Sequence, residues 1–125
     1  MQSATKVSPE TVAEQFFSAL YVSRNAEAAL ALSTNEVASV LRPHQLASQM
    51  QRNVFGLPLT DAKVRVIDVE TSFFRSQEQD LAVKVMIEGY QGHRWIREDR
   101  RVHLHRFGDH WRVSKLYSNP SASNG

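Results

Sequence analysis

Cysteine is missing from the 125 residues altogether, which removes disulfides, thiolate nucleophiles and cysteine-ligated zinc. No stretch reaches the roughly 18 consecutive apolar residues that a membrane-spanning helix needs. Charge of one sign is also lacking. Fifteen Lys and Arg against 13 Asp and Glu leave +2, too little to single out nucleic acid as a partner. Glycine-rich phosphate loops, Gly-x-Ser-x-Gly elbows and His-Glu-x-x-His helices do not occur, so the common signatures of nucleotide, serine-hydrolase and zinc-protease chemistry are absent. The opening Met1-Gln2-Ser3-Ala4-Thr5-Lys6 has no apolar centre of the kind a signal peptide carries.

What remains is an ordinary globular composition, 42% hydrophobic and 22% charged, in a length that suits one domain with one core. Ser8, Pro9 and Glu10 read as a helix start: a cap, a first-turn proline and a first-turn acid. Val12, Phe16 and Leu20 then recur at spacing four, predicting an amphipathic helix to about Arg24. Asn25 breaks it, Ala26 to Leu32 forms a short second helix, and Ser33-Thr34-Asn35 supplies caps for the next. Pro43 is placed as the first residue of a further helix with Leu46, Met50 and Val54 on one stripe, ended by Gly56 and Pro58.

From Lys63 the period changes to two. Val64 and Val66 alternate, the phase slips at Ile67, and alternation resumes through Val69, Thr71 and Phe73, predicting a β-bulge and a bent sheet. Arg75 to Asp80 reads as a polar connection. Leu81, Val83, Val85 and Ile87 alternate with polar or small residues. Gln91-Gly92 and Gly108-Asp109 each suit a two-residue hairpin turn. Those turns would set Val85 opposite Glu98, Val83 opposite Arg100, Leu104 opposite Val113 and Val102 opposite Lys115. One face then collects Leu81, Val83, Val85, Ile87, Ile96, Val102, Leu104, Trp111, Val113 and Tyr117, and must be the face the helices cover.

The elements in this order resemble the NTF2-like (cystatin-like, cone-shaped) superfamily. VAEQFFSALYVSRNAEAALALST is similar to its opening helix, break and second helix. SVLRPHQLASQM followed by VIDVE is similar to small secreted bacterial members, and HLHRFGDHWRVSKLY to their last hairpin. The resemblance spans about residues 9–117. It implies an α+β fold, N-terminal helices packed on a bent, mixed-to-antiparallel sheet, occupying residues 7–118 with flexible ends at 1–6 and 119–125. It further implies a bacterial protein, dimeric through its sheet. A removed leader would place it in the envelope or periplasm, and no leader would leave it in the cytoplasm.

In such a cone the concave face lines a pocket, so Phe16, Leu20, Tyr21, Val83, Val85, Glu98, Arg100 and Trp111 become the candidate lining. Glu98 and Arg100 fall on the inward face, where charge is costly unless paired or wet. Either they pair with each other or they face a small apolar or anionic ligand, with Glu98 as general base and Arg100 orienting it. Tyr21 either projects its hydroxyl into that pocket or is core with the hydroxyl satisfied.

The outer face carries Met86, Tyr90 and Trp95 among charges, a candidate contact surface for a second copy or another protein. His103, His105 and His110 have metal-like spacing, but Arg101 and Arg112 share their face, so no metal is assigned. No cofactor is called for. Between Arg94 and Lys115 seven basic residues stand against Glu98, Asp99 and Asp109. That strand lacks the interleaved aromatics of a nucleic-acid platform. Two functions follow: a non-catalytic ligand-binding or interaction domain, preferred, and a small isomerase, dehydratase or cyclase built on Glu98 and Arg100.

Overall fold

The computed structural model describes residues 8–70 and 79–116. Helix α1 (Pro9–Tyr21) starts where the caps put it, with the Ser8 hydroxyl accepting from the Thr11 amide and Pro9 in the first turn. It stops three residues before the predicted end. Arg24 turns left-handed (φ 54°), and the Asn25 amide donates back to the Ala19 carbonyl at 2.7 Å. Asn25 then caps α2 (Ala26–Ala31) and Thr34 caps α3 (Asn35–Leu41) through their side-chain oxygens.

Pro43 does not open the next helix. It sits in a single 3-10 turn over Arg42–His44, and the positive φ of Gln45 (66°) forces a break before α4 (Ala47–Asn53). Leu46 is consequently exposed, while Met50 reaches the core.

The sheet has strands β1 (Thr60–Glu70), β2 (Asp80–Gln91), β3 (Arg94–Phe107) and β4 (His110–Leu116) in the order β1-β2-β3-β4. Every pairing between these strands is antiparallel, not mixed. Among the described residues the one parallel link is an isolated bridge from Ser33 to Val113. It clasps the α2–α3 junction to the edge of β4, through Thr34 N to Val113 O (2.9 Å) and Val113 N to Leu32 O (2.7 Å). The slip at Ile67 is present as a register shift between Val66 and Asp68, and β1 has a second shift between Thr60 and Lys63. Strand β1 thus starts earlier than Lys63. Thr71, Phe73, Tyr117, most of the Arg75–Asp80 connection and the two chain ends lie outside the described residues.

Two pairings need correction. The first hairpin turns on Gly92-His93 rather than Gln91-Gly92, because Gln91 pairs with Arg94 and Gly92 takes the positive φ (66°) at the first turn position. A two-residue turn with glycine first matches the strand twist as well as one with glycine second. Val85 therefore faces Arg100 and Ile87 faces Glu98. In the second hairpin Leu104 does face Val113, but a shift after it sets Val102 against Leu116 and His103 against Lys115. Both errors keep or locally restore the faces: Val83, Val85, Ile87, Val102, Leu104 and Val113 are all fully buried under the helices. Against them pack Phe16, Phe17 and Phe55, edge to face at centroid distances of 5.3–6.2 Å, a favoured geometry for aromatic clusters.

At Gly89, opposite the register shift between Thr60 and Lys63, β2 runs close against the start of β1. A Cβ there would meet the Thr60 carbonyl oxygen at 2.8 Å and the Ala62 Cα at 3.0 Å, both backbone. Gly89→Ala is expected to cost about 1–3 kcal/mol, since the strand pair itself must move. Urea unfolding checks this; an unchanged midpoint would contradict it.

Candidate functional site

The inward charges come first. Arg100 is buried, and its guanidinium makes four hydrogen bonds: Nε and Nη2 to the Phe55 carbonyl (3.2 and 3.0 Å), and Nη1 to Glu98 Oε1 and the Asp99 carbonyl (both 2.9 Å). Of its five N–H donors only one is left. The Glu98 side chain is 41% exposed, so it meets water at the margin of the sheet. The two do pair with each other.

Tyr21 also spends its polar atom on the backbone. Its hydroxyl donates to the Leu57 carbonyl at 2.7 Å, and burial pushes the hydroxyl well above the ordinary tyrosine value, Arg100 opposing and Glu98 adding to the effect. Phe16, Leu20, Val83 and Val85 are fully buried core residues, and Trp111 packs at the edge of that core. Trp111 also carries the Arg106 guanidinium 5.9 Å from its ring centre, from the position directly opposite it.

A third buried polar residue joins Arg100 and Tyr21, and sequence reasoning missed it. Gln51 donates to the Leu20 carbonyl (2.7 Å), one of the unpaired carbonyls at the end of α1, and accepts from the Leu59 amide (3.1 Å). Arg100, Tyr21 and Gln51 thereby hold Phe55, Leu57 and Leu59, alternate residues of the link between α4 and β1. Position 51 follows the apolar Met50, and a lone Gln beside a helical stripe gives no signal of such a role.

The outer face is different. The helices pack into one core with the inner-face strand residues, and the outer-face Ala82 and Met86 lie outside that core. Tyr90 and Trp95 pair across β2 and β3 with rings edge to face at 4.8 Å, and they are 41% and 47% exposed. Trp95 thus meets Tyr90 edge-on across the strand pair. Met86, two rows away between Arg65 and Asp99, is buried at 7% and adds little accessible surface. A cavity of about 290 Å³ runs beside Tyr90, lined also by Arg24, Ser48, Pro58 and Thr60.

Farther along the same face, Glu70 and Arg101 form an ion pair, Nε to Oε1 at 2.9 Å with poor N–H alignment. His105 Nδ1 lies 2.6 Å from Asp80 Oδ1. Asp80, whose polarity suggests a connection, is the first residue of β2 and sits opposite His105. His110 is at the hairpin turn, paired with Phe107. Among the described residues no three His, Asp or Glu groups converge as metal ligands.

His103 is held below the ordinary imidazole value, by burial first and then by the Lys115 and Arg101 cations, with Asp80 and Glu70 pulling the other way. Its imidazole is neutral in the fold while the unfolded chain binds a proton near 6.5. The stability this contributes is present above that value and is lost as pH falls through the lower folded value. The urea midpoint of wild type relative to that of His103→Gln is expected to fall as pH drops below 6.5. A constant gap between them would contradict the assignment.

No helix among the described residues is long and apolar enough to cross a membrane. Compared with known proteins, the chain matches no family model, no curated protein and no solved structure.

Proposed function

We propose that the chain is a non-catalytic interaction domain of a bacterial protein, an NTF2-like cone that self-associates through the outer face of its sheet. The observation carrying this reading is the Tyr90–Trp95 pair, two large rings left exposed on the sheet face turned away from the helix-packed core. Four strands at about 4.8 Å spacing and ten residues at about 3.3 Å give that face roughly 600 Å². Two such faces reach about 1,200 Å², the lower end of specific interfaces.

A second copy suits the charge pattern. Cross-strand rows mix the two signs, with Lys63, Glu88 and Arg97 in one and Asp68, Lys84 and Arg101 in another. A face of mixed sign complements itself under a two-fold axis better than it complements a strongly acidic or basic partner. Inside the domain, the polar groups that an enzyme would use are engaged with backbone carbonyls and each other. Against the alternative enzyme reading, Glu98 as base with Arg100 orienting a ligand, stands the 2.9 Å contact that pairs the two with each other.

Sedimentation tests the proposal. Wild type is expected to run as a dimer at tens of micromolar and Trp95→Asp as a monomer with an unchanged circular dichroism spectrum. Two monomers, or two dimers, would reject the sheet interface.

A further inference from the structure

Two clefts meet along the seam between α3 and β4, away from the Tyr90–Trp95 surface. One, of about 440 Å³, is walled by Val37, Val40, Val54 and Leu116. The other, of about 590 Å³, is walled by polar side chains, among them Asn35, Asp80 and His105, and by the ring of Phe107. Glu36 and Ser114 line both, so the two are halves of one groove. The isolated bridge between Ser33 and Val113 and the register shift in the β3–β4 pairing, between His103 and Leu104, build this seam.

We propose that this groove binds a small alkylammonium amphiphile, the chain lying in the valine half and the head in the polar half. The apolar half needs a hydrocarbon: Val40 is 49% exposed there with nothing to cover it among the described residues. The polar half specifies the head through what it offers. Glu36 and Asp80 are carboxylates, acceptors only. His105, whose Nδ1 lies 2.6 Å from Asp80 Oδ1, lines the same half.

The Asn35, Glu36 and Ser114 side chains bond to no other described residue. Phe107, 52% exposed and set edge to face against His105 at 4.6 Å, adds a π-face that attracts cations. An ammonium brings three donors and a positive charge to this set. A carboxylate brings only acceptors, and would sit against Glu36 and Asp80. Lys115 also lines the apolar half, and its charge lowers His103 on the outer face.

The test is an amide chemical-shift titration with decylammonium, decanol and decanoate, each below its micelle-forming concentration. Decylammonium is expected to move Val37, Val40, Ser114, Leu116 and His105 together, and to bind at least about tenfold more tightly than decanoate, with decanol between. Val40→Gln is expected to weaken decylammonium about tenfold by spoiling the apolar wall, and Glu36→Gln to narrow the gap between ammonium and carboxylate. Both positions are exposed, so the fold is retained and its spectrum checks that. Equal binding of decanoate, shifts confined to the Tyr90–Trp95 surface, or no shifts with any probe would overturn the proposal.

Discussion

Replacing Arg100 with methionine is expected to cost about 2–3 kcal/mol of stability, read from chemical unfolding. Methionine fills much of the same volume, so the loss isolates the hydrogen bonds. The Phe55 carbonyl, which accepts from both Nε and Nη2, is left in a buried position beside a side chain with nothing to donate. The Asp99 carbonyl loses its contact as well. Glu98 limits the damage: with its side chain 41% exposed it rehydrates when the guanidinium is gone. Stranding a fully buried partner would cost more, about 3–5 kcal/mol. Arg100→Lys is expected to recover less than half of the loss, because a single ammonium cannot reproduce the fork on Phe55. A loss under about 1 kcal/mol for the methionine variant would mean that Phe55 finds water instead.

Gln51→Met is the other large effect, expected at about 2–4 kcal/mol, since two buried backbone groups lose their partners at about 1–3 kcal/mol each. These are the Leu20 carbonyl at the end of α1 and the Leu59 amide at the entrance to β1. Neither has a described alternative, and the residue itself is only 3% exposed. Gln51→Glu is the sharper control: it keeps the acceptor for Leu59, loses the donor for Leu20, and adds a buried charge, so it should be no better than methionine. Arg100 and Gln51 hold the same connecting segment. Their double mutant is therefore expected to fall short of the sum of the singles, because the segment can be freed only once. Strict additivity would show that the two anchors act on separate structures.

The helix starts were legible because capping chemistry is local. Ser8 and Thr34 act as caps where their side chains can reach an amide three residues on, and Asn25, read only as a breaker, does the same for α2. The bulge at Ile67 was legible because a one-residue slip reverses which side of a strand is apolar. The first hairpin register was not, for the matching reason. Moving the turn from Gln91-Gly92 to Gly92-His93 shifts every partner by two and leaves each face unchanged, so alternation cannot distinguish the two. That shift carries the Asp80–His105 contact, which no reading of faces would find. Gln51 was illegible for another reason: its partners are backbone groups 31 and 8 residues away, and side chain to backbone bonds leave no trace in a hydropathy pattern. Pro43 misled because a proline suits a 3-10 turn as well as a helix start.

The sheet surface can be tested with light alone, because the chain has only two tryptophans. Trp111→Phe leaves Trp95 as the sole reporter and keeps an aromatic ring under Arg106. As that variant is concentrated from nanomolar to tens of micromolar, Trp95 emission is expected to move to shorter wavelength as the exposed ring is buried between two sheets. An emission maximum that stays at the water-exposed position over the whole range would contradict the interface.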